Sequence, residues 1–305
     1  VMPIPRNSRA TFSCNCPGFE DLASGNMIPG LTRGDILDLV IPLPSPEEQQ
    51  KIADCLTSLD ELIAAQGRKV EGLQAHKKGL MQQLFPREGE TLPRLRFPEF
   101  RSAPEWEERE LGTMTNRVGS GITPLGGEKN YKSTGRPFIR SQNVGWGELL
   151  LDDVAFIDDE THSTFDSTAI FESDVLLNIT GASIGRSAIA DARIVGGNVN
   201  QHVCIIRLKP GELNPILLNQ FLISERGQKQ IDSFQAGGNR QGLNFGQIRS
   251  FSIPIPPIEM EQQRIADCLS TLDAQIAAEN NKFAALKTHK RGLMQQLFPS
   301  PEEGL

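Results

Sequence analysis

The sequence lacks the features typical of membrane, secreted and metal-dependent proteins. No apolar run approaches the roughly 20 residues that cross a bilayer, and the first residues, VMPIPRNSRATFSCNCPGF, contain no apolar stretch typical of a signal peptide. The five cysteines form no CxxC pair and no cluster with the four histidines at the spacing of zinc ligands. We therefore expect a cytoplasmic protein with reduced thiols and no bound metal.

The motifs of catalysis are also missing. The sequence contains no GxSxG turn around a serine nucleophile, no HExxH helix and no glycine pattern that binds a nucleotide, and TGASIGRS (180–187) lacks the GK[ST] ending of a phosphate-binding loop. His202 begins an apolar run and is expected to be buried and hydrogen-bonded, whereas His162 lies among acidic residues typical of a solvated loop. We therefore expect a protein that is not an enzyme by itself.

The chain also lacks a surplus of positive charge, since 31 Lys and Arg stand against 38 Asp and Glu and the formal net charge is −7. Binding to nucleic acid needs clustered basic residues. The charge is segregated, however: residues 116–147 contain five basic residues and one acid, whereas residues 148–174 contain nine acids and no Lys or Arg. This pattern fits either one basic face on an acidic protein or two solvated loops of opposite sign.

What the sequence does contain is a long internal repeat. Residues 49–86 and 262–299 are identical at 24 of 38 aligned positions without a gap. The repeat continues more weakly upstream, where GLTRGDILDLVIPLP (30–44) corresponds to GLNFGQIRSFSIPIP (242–256). The chain therefore carries two copies of a strand-like end, a proline-rich joint and a long segment.

Each long segment has the apolar spacing of a helix that pairs with another helix. Apolar residues recur at alternating steps of four and three over about five heptads, Ser45 followed by Pro46 forms a helix start, and a proline ends each copy. The polar positions of this seam are Gln66, Lys77, Glu279 and Lys290. An antiparallel register that matches polar to polar pairs Lys77 with Glu279. The same register pairs Gln66 with Lys290, and we expect it because polar seam residues select the alignment of a coiled coil.

About 150 residues between the repeats are predicted to form a mixed domain. Apolar runs bounded by Gly, Asn and Asp predict strands within 136–140, 148–157, 174–180 and 202–208, and a helix is predicted over 214–234. The glycines of TGASIGRS indicate a tight turn. The expected fold class is α+β, with a strand-rich mixed domain and two long helices that form an antiparallel coiled coil.

Polar side chains suited to contact with DNA are concentrated on glycine-rich loops of this domain. Arg pairs with guanine, Asn or Gln pairs with adenine, and small residues let the backbone approach phosphate. The candidates for DNA contact are Arg117, Ser120, Thr123, Lys129, Tyr131, Lys132, Arg136, Arg140, Gln142, Asn143, Arg186, Arg240 and Gln241. Each of these residues, taken alone, is also typical of an ordinary surface or turn position.

The arrangement resembles the specificity subunit of a type I restriction-modification enzyme. The resemblance covers essentially the whole chain and is carried by PLPSPEEQQKIADCLTSLDELI, by its counterpart PIPPIEMEQQRIADCLSTLDAQI, by the LMQQLFP helix ends, by RFPEFRSAPEWEERELG, and by DVLLNITGASIGRSAI with NVNQHV after it. It implies target-recognition domains that alternate with two long antiparallel helices, each domain reading half of a bipartite DNA sequence. It also implies that methylation and restriction subunits dock on the assembly. S-adenosylmethionine, ATP and magnesium are then expected on those partner subunits, which methylate adenine and cleave DNA.

On this resemblance the chain divides into six parts. They are a remnant of a first target-recognition domain (1–45), the first repeat helix (46–86), a linker (87–104), a target-recognition domain (105–256), the second repeat helix (257–299) and a tail (300–305). Because only 45 residues precede the first helix, we expect a half-reader that dimerises, the product of a split or shuffled gene, or an inactive fragment. The alternative function is a coiled-coil assembly scaffold that no longer reads DNA.

The end of each repeat helix carries apolar residues outside the seam. These residues are Met81 and Phe85 in the first copy and Met294 and Phe298 in the second. They widen the apolar face beyond what one partner helix covers. Two interpretations fit: each helix end packs against the base of a neighbouring domain, or the two ends are equivalent docking surfaces for methylation subunits.

Overall fold

A computed structural model describes residues 43–124, 126–235 and 242–298 of the chain. These residues form two compact units, one of residues 73–275 and one that combines the described residues up to 72 with those from 276 onward. Most of the predicted first-domain remnant lies outside the described residues, and so do the tail, Arg240 and Gln241. The predicted domain boundaries were placed at the ends of secondary-structure elements, whereas the two units are divided by their internal contacts. The predicted boundaries therefore stay a prediction.

Helix α1 spans Pro46–Leu84, which is 39 residues or about 58 Å at 1.5 Å per residue. The Ser45 hydroxyl accepts a hydrogen bond from the backbone N–H of Glu48 at 3.3 Å and satisfies one of the free donors of the first turn. Glu47 and Glu48 lie in that turn, where the helix dipole favours carboxylates. The helix therefore begins at the predicted cap and ends just before Pro86.

The described residues that follow α1 and precede the second long helix in the sequence form three sheets. β1 pairs with β9 antiparallel, a four-stranded antiparallel sheet has the order β2-β8-β5-β6, and β3 lies between β4, which is antiparallel to it, and β7, which is parallel. The strands are β1 (Glu107–Glu110), β2 (Thr115–Ser120), β3 (Arg136–Ile139), β4 (Ala155–Ile157), β5 (Val175–Asn178), β6 (Ser187–Ile189), β7 (Asn198–Val199), β8 (Val203–Leu208) and β9 (Ser252–Ile255). The four strands predicted from apolar runs are confirmed as β3, β4, β5 and β8, although β4 occupies only the last three residues of the run 148–157.

The single helix predicted over 214–234 is wrong, because the chain forms two helices there. The shorter helices are α2 (Asp159–Ser163), α3 (Pro215–Ile223), α4 (Glu225–Ser233) and α5 (Phe245–Arg249). Ser224 is extended, with φ −70° and ψ 162°, and its hydroxyl accepts from the N–H of Gly227 at 3.2 Å, so it ends α3 and caps α4. A Cβ at Gly227 would lie 2.2 Å from the carbonyl oxygen of Phe221, so this turn requires glycine.

The second long helix, α6, spans Glu259–Leu297, again 39 residues. Within the unit of residues 73–275, the end of α1 and the start of α6 contribute to the main hydrophobic core. The ring of Phe85 meets Phe221 and Trp106 edge to face, with centroids 5.8 and 6.4 Å apart. Burial of these apolar residues stabilises the unit through the hydrophobic effect.

A buried ion pair joins the segment that opens the domain to α6. Arg96 donates through Nε and Nη2 to the two carboxylate oxygens of Glu261, both at 2.7 Å, and Trp106 Nε1 donates to the same carboxylate at 3.3 Å. The remaining guanidinium N–H groups reach the carbonyls of Ala103 and Pro104. The hydrogen bond with Glu261 raises the pKa of Arg96, so the charged pair is stable in the folded chain.

In the other unit, α1 and α6 run antiparallel. Gln66 donates to the carboxylate of Glu279 at 2.7 Å and to its carbonyl at 3.0 Å, Lys69 donates to Glu279 at 2.5 Å, and Lys290 pairs with Asp60. Hydrogen bonds from Lys69 and then Gln66 hold the pKa of the Glu279 carboxyl below its usual range. The predicted α+β class with two paired long helices is therefore confirmed.

The predicted helix register is wrong by about one heptad. Lys290 meets Asp60 where Gln66 was predicted, and Lys77 meets Asp273 at 2.5 Å where Glu279 was predicted. A seven-residue repeat still places apolar on apolar after a shift of one heptad, so the seam does not select between the two alignments. The selection comes from Asp60 and Asp273, equivalent acids of the two repeats that lie beside the seam.

Candidate nucleic-acid interface

Three of the five basic residues of the segment 116–147 pair with acids of 148–174. The antiparallel pairing of β3 with β4 brings the two segments together. The ion pairs are Arg136–Asp159 at 2.5 Å, Lys132–Asp158 at 3.4 Å, and Arg140 with both Asp153 at 3.4 Å and Glu128 at 3.7 Å. Lys132, Arg136 and Arg140 therefore do not form the uncompensated basic face that the charge pattern allowed.

Asn143, a predicted DNA contact, is buried, and both polar atoms of its side chain are hydrogen-bonded within the domain. Its Nδ2 donates to the carbonyls of Leu150 and Asp153 at 2.8 and 3.0 Å, and its Oδ1 accepts from the backbone N–H of Arg140 at 3.0 Å. Gln142 is exposed, but it donates to Asp153 at 2.6 Å. Asn143 is therefore a structural residue, contrary to expectation.

Tyr131 is also held by its own domain. Its ring packs against Phe138 with centroids 5.4 Å apart, and the Arg140 guanidinium lies 5.5 Å from the Tyr131 ring centroid. Burial raises the pKa of the Tyr131 hydroxyl. The ring is thus half-buried, and its contribution to any DNA contact is limited to the exposed part.

One end of the four-stranded sheet collects polar side chains from three loops. β2 and β5 end there, and β6 and β8 begin there. The residues at this end, which we call the polar sheet end, are Ser120, Thr123, Thr180, Arg186, Gln201 and His202. Ser120, Thr123 and Arg186 are predicted DNA contacts that the fold brings to the same place.

A hydrogen-bond chain orders part of the polar sheet end. Thr180 Oγ1 lies 2.5 Å from His202 Nδ1, and Gln201 Nε2 lies 3.0 Å from His202 Nε2. The side-chain oxygen Oε1 of Gln201 accepts a hydrogen bond from the hydroxyl of Thr123. This hydrogen-bond network is consistent with a neutral His202 that carries its proton on Nδ1. Gln201 is exposed and the other three side chains are half-buried, so the network presents polar groups to a ligand from a rigid base.

Glycines set the backbone of these loops. Gly181 and Gly185 have φ of 72° and 85°, as expected for turn positions, and a Cβ at Gly185 would lie 2.4 Å from Oε1 of Gln228. A Cβ at Gly121, next to Ser120, would lie 1.6 Å from the carbonyl oxygen of Val199. The close packing that only glycine permits thus fixes where the polar loops emerge.

Exposed apolar side chains lie beside the polar residues. Trp146 is 53% exposed although its backbone bridges to Ser187 of β6, and Ile122, two residues after β2, is 55% exposed. Apolar groups on a loop can contact thymine methyl groups. Mixed polar and apolar exposure at one sheet end is the chemistry needed to read base edges.

Sequence reasoning missed three residues of the polar sheet end, namely Thr180, Gln201 and His202. The available signal was their position at the ends of predicted strands. His162 was also misjudged, since it lies in α2 with Nδ1 2.7 Å from Oδ1 of Asn198 and is half-buried. Lys129 is exposed in the turn Gly127–Asn130, and its place in a DNA contact stays a prediction.

The two copies of the apolar helix end differ in burial. Met81 and Phe85 are buried in the domain core, 8% and 4% exposed, so the first copy packs against its domain and is not the predicted docking surface. In the second copy Met294 is half-buried and Phe298 is 52% exposed. A docking role for the second copy stays a prediction.

The described residues contain neither a metal-binding cluster nor a membrane-spanning helix. No group of three or more His, Cys, Asp or Glu side chains in them could hold a metal ion. No helix in the same part of the chain is long and apolar enough to cross a membrane.

Several known proteins are similar to this chain. The specificity subunit of the type I restriction enzyme MjaVIII from Methanocaldococcus jannaschii is 24% identical over 282 residues, which cover 90% of this chain and 64% of that protein. The chain thus spans less than two thirds of this relative. The crystal structure of a type I restriction-modification S subunit from M. genitalium has a TM-score of 0.62 at 18% identity and covers 92% of this chain and 69% of its own. A structure from work on complex assembly and conformational transition of the type I R-M system has a TM-score of 0.57 at 22% identity, covering 90% and 65%. These two structural similarities show that the chain shares the fold of those proteins.

The family match covers most of the sequence. The family described as the type I restriction modification DNA specificity domain matches residues 16–74 and 104–288. Those ranges include most of both repeat helices, the nine strands of the described residues and the polar sheet end. The chain therefore belongs to the type I restriction-modification DNA specificity family.

Proposed function

We propose that this chain is a non-catalytic DNA-reading subunit of a type I restriction-modification complex and acts in the cytoplasm. The observation that carries the proposal is the polar sheet end, where Ser120, Thr123, Arg186 and Gln201 converge beside the exposed Trp146. Arg and Gln are the side chains that pair with guanine and adenine edges. The family match supports the same conclusion.

The described residues contain one domain of this kind, so we propose that one chain reads one half of a bipartite target. A second chain or a second domain would then read the other half. Because Lys132, Arg136 and Arg140 are paired with acids, affinity should depend on a few cations that have no acidic partner among the described residues, such as Arg117, Lys129 and Arg186.

We further propose that the long helices bind methylation subunits, and that restriction subunits join through the complex. The exposed end of α6 around Phe298 is the candidate surface on this chain. S-adenosylmethionine, ATP and magnesium would be bound by the partner subunits.

Selection from a random duplex pool tests the reading function. The chain with a methylation subunit should enrich one motif, and Arg186→Ala or Gln201→Ala should relax that motif at defined positions. Arg193→Ala is the matched control, because Arg193 is exposed and paired with Asp191. Intact complexes that enrich no motif would favour the scaffold function instead.

A further inference from the structure

Arg117 is a cation with an unmet hydrogen bond. It lies on β2, is half-buried, and no carboxylate among the described residues is within ion-pair distance of it. Its Nε is buried without an acceptor in the described part of the chain. A buried donor without a partner destabilises the folded state, so the folded chain keeps Arg117 on β2 at a cost in stability.

A second arginine reaches the same strand. Arg249, at the end of α5, donates through Nη2 to the carbonyl oxygen of Val118 at 2.9 Å, and β2 is an edge strand whose only partner in its sheet is β8. A Cβ at Gly112 would lie 2.9 Å from the Arg249 Cβ, so glycine leaves the space through which the side chain passes. Arg249 is an exposed residue whose guanidinium group thus reaches the backbone of β2.

Between the two arginines is an open cavity of about 300 Å³. The residues that line it are Gly112, Thr115, Asn116, Arg117, Val118, Gly119 and Arg249. None of them is acidic. Burial raises the pKa of the Cys204 thiol to about 12, and the charges of Arg117 and Arg249 oppose that rise. Two cations that share a cavity without a counter-charge attract an anion.

We propose that this cavity binds a phosphate group and that the phosphate belongs to the DNA backbone. A guanidinium fork matches the oxygens of a phosphate, and Arg117 and Arg249 both line the cavity. Phosphate contacts fix the register of a protein on the duplex and carry no sequence information. The cavity would therefore position the domain so that the polar sheet end faces the bases, and this second part rests on the proposed function.

The first test uses inorganic phosphate and the protein alone. Thermal denaturation is measured in sodium phosphate and in sodium chloride at equal ionic strength. The wild-type chain should gain stability in phosphate, since a ligand that binds the folded state raises the unfolding midpoint. Arg249→Gln and Arg117→Gln should lose most of that gain, whereas Arg193→Gln, with the same change of charge outside the cavity, should keep it. An equal gain in all four proteins would overturn the site.

The second test separates a backbone phosphate from a free one. With a random-sequence duplex pool, Arg249→Gln should bind about tenfold more weakly on every sequence, and the slope of log affinity against log salt should fall by about 1. Duplexes in which neutral methylphosphonates replace the phosphates should remove the difference between variant and wild type. Unchanged DNA affinity in Arg249→Gln would overturn the assignment of the phosphate to DNA. A wild-type chain that binds no DNA would refute the proposed function, and the phosphate titration would still decide the cavity.

Discussion

The substitution Glu261→Gln should strongly destabilise the unit of residues 73–275. The side chains of Arg96 and Glu261 are 8% and 1% exposed, and the carboxylate also accepts from Trp106. Neutralising Glu261 leaves the guanidinium charge buried without its partner, which typically costs about 3–5 kcal/mol. At about 2–4 °C per kcal/mol for a unit of this size, the unfolding midpoint should fall by roughly 6–20 °C.

The internal repeat supplies a matched control for this experiment. Glu48 occupies the position in the first repeat that Glu261 occupies in the second, and it is exposed. Glu48→Gln removes the same charge from the same sequence context, with a loss limited to about 0.3–1 kcal/mol from the helix dipole. Both variants are compared with the wild type by circular dichroism during heating. Equal losses in the two variants, or a Glu261→Gln midpoint within about 2 °C of the wild type, would refute the reasoning.

Three further predictions use the same repeat and core. Phe85→Ala should cost about 3–5 kcal/mol in urea unfolding because the ring is buried, whereas Phe298→Ala should cost under about 1, and the reverse order would contradict the packing. Cysteines at Ile63 and Leu286 should cross-link within one chain, and a cysteine one heptad beyond 286 should not; the opposite result would restore the predicted register. Cys204 should resist thiol reagents at pH 8 until the chain unfolds, because burial raises its pKa to about 12, and rapid labelling of the folded chain, read by mass spectrometry, would contradict this.

Periodicity made the helices and the main strands predictable. The steps of four and three, the Ser45 cap and the closing prolines define α1 within a few residues, because these signals are local. The register was not predictable from the seam, since an alignment one heptad away satisfies the same apolar positions. Asp60 and Asp273 decide it, and they lie outside the pattern used.

The candidate site was predictable only in part, because it is assembled by strand pairing. Ser120 and Arg186 were named from composition, but their meeting with Gln201 depends on the order β2-β8-β5-β6, which the sequence does not state. Strand pairing also explains why Lys132, Arg136 and Arg140 do not form an uncompensated basic face. Segments 116–147 and 148–174 look separate along the chain, and β3 with β4 places their charges in contact.

Burial separated the two interpretations of the helix ends in a way that sequence could not. The LMQQLFP motif is identical in both copies, yet Phe85 is 4% exposed and Phe298 is 52% exposed. The two identical motifs therefore have different surroundings, because in the described residues only the first copy is packed into a domain core.

The central claim is that residues 105–256 read DNA for a methylation subunit. Methylation profiling of DNA from cells that carry this chain with that subunit tests it directly. The account predicts methylated adenines within one motif, and a relaxed motif when Arg186→Ala replaces the wild type. Methylation that shows no motif, or a motif that the subunit produces equally without this chain, would contradict the claim.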